Sequence, residues 1–382
     1  MDRLGPAAAR LDALIARDFR NLERVDLELP AAGLLLVGEN GQGKTNFLEA
    51  IYYLQLLRSM RGARDQDLVR FGAAGFHLAA RLASDRAREV AVGFERAGKR
   101  KRVRLDGAVV ERLGDAVGAL PVVMFSPADV ELVAGGPAMR RRFLDIMLAV
   151  ASRGYLRALQ RYRGVLVRRN AALRDAARHH GGSAGARIEV WDEPLAEYGA
   201  LLWAERQGWV RTVASRFTEL CRAIGGDTVS MRYASALAHP ADEADRREAL
   251  RRAFEEQRGL DVRFGLTRSG PHRDDLLITL DTGGGSRDLR VFGSAGQQRS
   301  AAIALRLLEA ETLRDRRGGS PVFLLDDPFA ELDLPRTQRI VQLLSEEGLG
   351  QTILALPRES DIPGEMPRLE RFRIAAGVIA RG

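Results

Sequence analysis

Gly38-Glu39-Asn40-Gly41-Gln42-Gly43-Lys44-Thr45 follows the apolar run Gly33-Leu34-Leu35-Leu36-Val37 and leads through Asn46 into an amphipathic stretch. The spacing G-x-x-x-x-G-K-T is that of a loop whose backbone N–H groups cradle phosphates at the positive end of the next helix. Lys44 is placed to reach β- and γ-phosphates, and the Thr45 hydroxyl to ligate Mg²⁺. Only Lys44, Lys99 and Lys101 are lysines among 59 cationic residues. A planar guanidinium is too bulky for this narrow loop, so the rare lysine at position 44 is informative. Far downstream, Val322-Phe323-Leu324-Leu325 runs into Asp326-Asp327. A buried strand ending in carboxylates puts a metal ligand (Asp326) and a water-activating group (Asp327) at the edge where open α/β sheets bind ligands. Lys44, Asp326 and Asp327 are therefore the catalytic candidates, residues 38–46 the ATP site, and Thr45 with Asp326 the Mg²⁺ site.

These residues need elements to hold them. Residues 12–37 alternate as strands do, and from Thr45 onward Phe47, Leu48, Ile51, Leu54 and Leu57 recur at helical spacing. That is a strand, glycine loop, helix unit. Residues 76–106 read as strands with a hairpin at Arg96-Ala97-Gly98. Its returning arm puts Val103 on one face and Arg100, Arg102 and Arg104 on the other. With Lys99 and Lys101 these form a candidate phosphate-backbone contact for DNA, salt-sensitive and sequence-tolerant; a solvated hairpin face is the plainer alternative. About 280 residues separate Lys44 from Asp326, far more than a compact nucleotide-binding unit needs. From about residue 137 to 264 the chain becomes arginine-studded and helical, as an inserted arm. The expected organisation is an N-terminal half-head (12–136), the arm (137–264) and a C-terminal half-head (265–382). Just before the second half, Gly293-Ser294-Ala295-Gly296-Gln297 precedes a helix whose Ala301, Leu305, Leu308 and Thr312 share one face, a second anion-binding helix start. One nucleotide does not need two such sites from one subunit.

Ser294-Ala295-Gly296-Gln297 resembles the signature motif of ATP-binding-cassette ATPases, and Ala330-Glu331-Leu332-Asp333 resembles their D-loop. The resemblance implies an α/β fold: a phosphate-loop ATPase head of that type, split by insertion, with a mainly helical arm. It also implies a homodimer in which each signature caps the γ-phosphate held by the partner's loop. FRNLERVDLELPAAGLLLVGENGQGKTNFLEAIYYL, RDQDLVRFG (64–72), SGPHRDDL (269–276), GSAGQQRS (293–300) and LLDDPFAELD (324–333) together resemble the RecF family of bacterial DNA replication and repair proteins. That likeness implies ATP-dependent binding of single-stranded and gapped DNA alongside RecO- and RecR-like mediators, without membrane partners. Three departures stand out: Ala330 where the family often has Ser, Pro328-Phe329 in the manner of transporters, and Thr352 to Arg358 without a Thr-rich or His-containing switch. Asp327, one methylene shorter than the glutamate of transporters, points to slow hydrolysis used as a timer. An SMC-type head would need hundreds of residues of coiled coil, and the insert of about 130 has glycine breaks and no sustained heptads. A transporter ATPase would carry its signature closer to the phosphate loop.

Composition agrees. Net charge is +8, with 46% hydrophobic and 29% charged residues, as in a globular protein; the basic balance fits a polyanion partner and equally an arginine-rich genomic base composition. The single cysteine, Cys221, cannot form an internal disulfide, and the N-terminal segment lacks a continuous apolar core; both suggest the cytoplasm. His272 beside Asp274 and Asp275 reads as a turn and strand start rather than a metal site. Trp191, Trp203 and Trp209 read as packing anchors, and His179-His180-Gly181-Gly182-Ser183 as a loop. Arg140-Arg141-Arg142 faces either DNA or water.

Overall fold

The computed structural model describes residues 10–83, 88–178, 184–237, 242–330, 332–346, 350–361 and 369–382. The loop expected at 179–183 and Glu331 of the D-loop motif lie outside them. In chain order the elements begin β1 (Arg10–Phe19), β2 (Leu22–Glu28), β3 (Gly33–Val37), α1 (Lys44–Leu56), α2 (Asp65–Leu68), β4 (Gly75–Ala83), β5 (Arg88–Glu95), β6 (Arg100–Leu105), β7 (Ala108–Val109) and β8 (Val122–Phe125). Then come α3 (Glu131–Ala134), α4 (Pro137–Ala151), α5 (Arg153–Arg178), α6 (Ala184–Gly225), β9 (Val229–Ala234), α7 (Glu243–Glu256), α8 (Arg258–Phe264), β10 (Asp275–Asp281), β11 (Ser286–Asp288), α9 (Leu289–Phe292) and α10 (Ala295–Arg317). β12 (Val322–Asp326), α11 (Leu334–Glu346), β13 (Thr352–Leu356), β14 (Glu370–Ala375) and β15 (Val378–Arg381) complete the chain.

Two compact units form, one from Met1–Asp129, Ala223–Gly225 and Ile303–Gly382, the other from Val130–Arg222 and Gly226–Ala302. Residues 265–302 therefore group with the helical arm rather than with the C-terminal half-head. The physical cause is β9, a strand inside the stretch expected to be helical: β10 pairs with it antiparallel from Asp275↔Ala234 to Leu280↔Val229.

In the first unit, a six-stranded sheet of order β15-β14-β3-β13-β12-β8 carries the nucleotide elements. β3, β12 and β13 read GLLLV, VFLLD and TILAL and are almost wholly buried, as parallel strands covered on both faces must be. Parallel register sets Leu356 beside Val37 and Asp326 beside Ala355. The C-terminal ends of β3, β13 and β12 thus share one edge, although β3 and β12 lie at opposite ends of the sequence. α1 buries Phe47, Leu48, Ile51 and Leu54, and ends where Leu57 turns left-handed (φ 57°) with its N–H on Tyr53 O.

The other sheet, β2-β1-β4-β5-β6-β7, is antiparallel with one buried face, on which Leu14, Leu78, Val92 and Val103 meet an aromatic cluster of Phe19, Tyr53 and Phe76. β5 and β6 form the expected hairpin, with Gly93 opposite Arg102 and Ala91 opposite Arg104. Arg100, Arg102 and Arg104 are exposed on the outer face, and Arg100 lies 3.5 Å from Glu95. Lys101 departs from the expected basic arm. It points to the inner face, where its Nζ pairs with Asp65 (2.7 Å), donates to Leu57 O (2.8 Å) and sits 5.4 Å over the Tyr53 ring. The pleat decides this: alternate residues of one strand cannot share a face.

Candidate nucleotide site

A cavity of about 430 Å³ is lined by Asn40, Gly41, Gly43, Lys44, Thr45, Asn46, Arg61, Pro127, Asp326, Asp327 and Pro357, all from the first unit. The loop's shape comes from two left-handed glycines, Gly41 (φ 82°) and Gly43 (φ 115°). Gly38 is needed for a different reason, close approach: a Cβ there would stand 2.4 Å from Ile374 O. Lys44 is buried, and its Nζ donates to Gly38 O (2.5 Å) and Glu39 O (3.0 Å), which keeps the loop curled. Burial lowers its pKa, opposed by the nearby charges of Asp326 and Asp327.

Asp326 ends β12 almost fully buried, and burial raises its pKa, while a hydrogen bond from Thr45 and the charges of Arg61 and Lys44 pull it down. A hydroxyl donating to a carboxylate on the cavity wall is a donor set of the hard-oxygen kind Mg²⁺ takes, so these residues fit the ion. Asp327 adopts a left-handed backbone (φ 47°), a conformation Asp tolerates better than most residues, and its N–H donates to Ala355 O (2.9 Å). That twist breaks strand alternation, so both consecutive carboxylates line one cavity.

Of the residues singled out from sequence, Asn40, Gly41, Gly43, Lys44, Thr45, Asn46, Asp326 and Asp327 come together here. Gly38, Glu39 and Gln42 shape the loop from behind. Gln42 Oε1 accepts from Ala376 N at 2.6 Å. Sequence reasoning missed Arg61, set by a turn in which Arg61 N donates to Ser59 Oγ and Ser59 Oγ to the buried Glu49. No motif marks it; only the fold brings it to the cavity. Asp333 of the D-loop motif caps α11, accepting from Arg336 N (2.9 Å) and pairing with its guanidinium (2.6 Å). The Arg336 N–H and charge hold that carboxyl below its usual range.

In the second unit the signature segment builds a reciprocal cap on α10. Gln297 N donates to Ser294 Oγ (3.2 Å), and Ser294 N donates to Gln297 Oε1 (2.8 Å). Gln297 Nε2 reaches Asp227 at 2.8 Å. Ser294 and Ala295 are exposed, and Ala301, Leu305, Leu308 and Thr312 form the expected buried face of α10. Upstream, the Pro-His-Arg-Asp-Asp run is locked by partners. His272 Nε2 lies 3.0 Å from Thr267 O, so that nitrogen carries the proton, and Tyr162 donates to Nδ1 (2.6 Å). Burial lowers the His272 pKa to about 4. Asp275 takes both arms of Arg140, Asp274 accepts from Tyr233, and Arg141 donates to Asp274 O. Arg140 and Arg141 are thus committed to protein partners rather than to DNA or water. Trp203 and Trp209 are buried anchors, and Trp191 is half-buried under Arg168.

The family described as RecF/RecN/SMC N terminal domain matches residues 10–360, and the chain belongs to it. Within that family the similarity is to proteins named DNA replication and repair protein RecF. The one from Roseiflexus castenholzii is 39% identical over 391 aligned positions, 95% of this chain and 98% of the relative. That from Frankia alni is 38% identical, covering 95% and 97%. Among solved structures, the recombination mediator protein RecF-ATP in the RecFOR pathway matches with a TM-score of 0.88 at 29% identity, over 100% of both chains. A Smc head domain with an extended coiled coil from Pyrococcus furiosus shares the fold at a TM-score of 0.57 and 16% identity, over 97% and 95% of the chains. Among the described residues no helix is long and apolar enough to cross a membrane.

Proposed function

We propose that this chain is an ATP-dependent DNA-binding protein of replication and recombinational repair, acting as a slow ATPase switch in the cytoplasm. The observation that carries the reading is the convergence of Lys44, Thr45, Asp326 and Asp327 on one cavity from opposite ends of the chain. Its relatives named for DNA replication and repair, and the solved RecF-ATP neighbour, support the same conclusion.

In this reading, loop N–H groups and Lys44 hold the β- and γ-phosphates of ATP. Thr45 and Asp326 would hold Mg²⁺, which neutralises phosphate charge and fixes its orientation. Asp327 accepts a proton from the attacking water, and Arg61 adds positive charge beside Asp326. Ser294, Ala295, Gly296 and Gln297 cap the γ-phosphate of a second copy, so ATP joins two chains and hydrolysis releases them. Asp333 lies in the D-loop, next to that interface. Arg100, Arg102 and Arg104, with Lys99 at the hairpin turn, contact the phosphate backbone of single-stranded and gapped DNA, where RecO- and RecR-like mediators act. Lys101 holds their strand in place.

Sedimentation with and without ATP and gapped DNA tests this for the parent and Ser294→Arg. The expected result is an ATP-dependent dimer for the parent and an ATP-bound monomer for Ser294→Arg. A parent that stays monomeric with both ligands bound would sink the two-chain arrangement.

A further inference from the structure

Two segments remote in sequence, residues 42–46 and the β14–β15 turn, close on Asn21, in the turn between β1 and β2. Its Nδ2 donates to Gln42 O (3.1 Å), and its Oδ1 accepts from Asn46 Nδ2 (2.9 Å). The carboxamide fills the space beside Gly43, where a Cβ would stand 2.8 Å from both its Nδ2 and Oδ1. From another side comes the β14–β15 turn: a Cβ on Gly377 would lie 2.2 Å from Asn21 O. Gly377 N also donates to Gln42 O (2.8 Å), and Ala376 N to Gln42 Oε1.

Two donors from outside the loop therefore fix one carbonyl, that of Gln42. A trans peptide is planar, with its C=O and N–H pointing oppositely. Tying Gln42 O outward turns the Gly43 N–H the other way, and Gly43 lines the cavity while Asn21 does not. Glycines at φ 82° and 115° have much freedom to lose, so an unbraced loop would have to order itself on the phosphates. We propose that Asn21 is a positioning residue of the phosphate loop, acting with Gln42 and the 376–377 turn to aim the Gly43 N–H before nucleotide arrives. The C-terminal hairpin is then part of the nucleotide site, not a decoration of the sheet edge.

This rests on the ATP-binding reading, and one experiment separates the two. Binding of ATP and of ADP is measured by titration with a fluorescent analogue, alongside steady-state hydrolysis, for the parent, Asn21→Ala and Gln42→Ala. A brace that acts on bound phosphates equally in ground and transition states weakens binding without slowing chemistry. Asn21→Ala should weaken both nucleotides about tenfold, the worth of one to two hydrogen bonds, with kcat within about twofold. Its melting temperature without nucleotide should stay within about 3 °C of the parent. Gln42→Ala, which loses only the Ala376 link, should weaken binding about threefold. If the parent binds no nucleotide, the ATP reading itself fails. If the parent binds and both variants bind as tightly, or if kcat falls while affinity holds, the positioning role is overturned.

Discussion

Lys101→Met separates two roles within a basic strand to which sequence alone assigns one. Methionine keeps most of the apolar stem but removes the ammonium, and with it the 2.7 Å pair with Asp65, the bond to Leu57 O and the charge over Tyr53. Breaking a fully buried pair costs about 3–5 kcal/mol. Here the side chains are 17% and 23% exposed, and Asp65 keeps a hydrogen bond from Tyr53 at 2.7 Å, so the loss is smaller. A charged hydrogen bond at about 1.5–3 kcal/mol and a cation–π contact at about 0.5–1 bracket the change, which should come to about 2–3 kcal/mol. Urea unfolding should read it as a lower midpoint with an unchanged slope. Arg102→Ala, on the outer face, should shift stability by no more than about 0.5 kcal/mol. It should instead weaken binding of a fluorescent oligonucleotide and reduce the slope of log K against log salt by about 1. Lys101→Met should leave that slope unchanged. A Lys101→Met protein as stable as the parent, with a shallower salt slope, would refute the division of the strand into an anchoring face and a binding face.

Other predictions follow from the same geometry. Asp327→Asn should bind ATP near the parent's affinity while hydrolysis falls about a hundredfold, as expected for loss of a general base; hydrolysis at the parental rate would remove that role. His272 takes a proton in the folded state only near pH 4, against 6.5 for a free imidazole. Between those values the unfolded chain binds more protons, so stability is full above about pH 6.5 and falls by about 2–3 kcal/mol as pH drops towards 4. Unfolding of His272→Phe across pH 4–7 should show a shallower dependence, and an unchanged profile would exclude His272 as its source. Arg140→Ala leaves the half-buried Asp275, 16% exposed, with only the Leu276 N–H as a partner, and should cost about 2–4 kcal/mol in thermal or urea unfolding. Substitution without destabilisation, but with weaker DNA binding, would return Arg140 to the DNA surface.

How much of this was legible in sequence depends on how local the cause is. The phosphate loop is set by its own residues: glycines where the backbone turns left-handed, a lysine where arginine will not fit, and an apolar strand before them. The acidic strand end at Asp326 reads equally well, because a fully buried run ending in carboxylates is a local pattern. The buried stripe of α10 follows from spacing of three and four, whereas the reciprocal cap of Ser294 with Gln297 appears only in the structure, at a helix start read from sequence as an anion-binding one. Strand alternation separated Arg100, Arg102 and Arg104 from Val103, although what Lys101 would meet across the core was not written in β6. β9 lay unseen inside the helical stretch, because six residues of alternating burial mean nothing until β10 supplies their partner. Arg61, Ala376 and Gly377 carry no motif, and the FRNLERVDL segment that holds Asn21 gives that residue no role by itself; their roles arise only when crossovers bring strands from both ends of the chain to one sheet edge. Sequence determined the chemistry this protein carries, since phosphate-binding residue types act through their own backbone and spacing. Only the tertiary structure decided what aims that chemistry, because the donors that fix the loop come from turns about 20 and 330 residues away, brought together by non-local strand pairing.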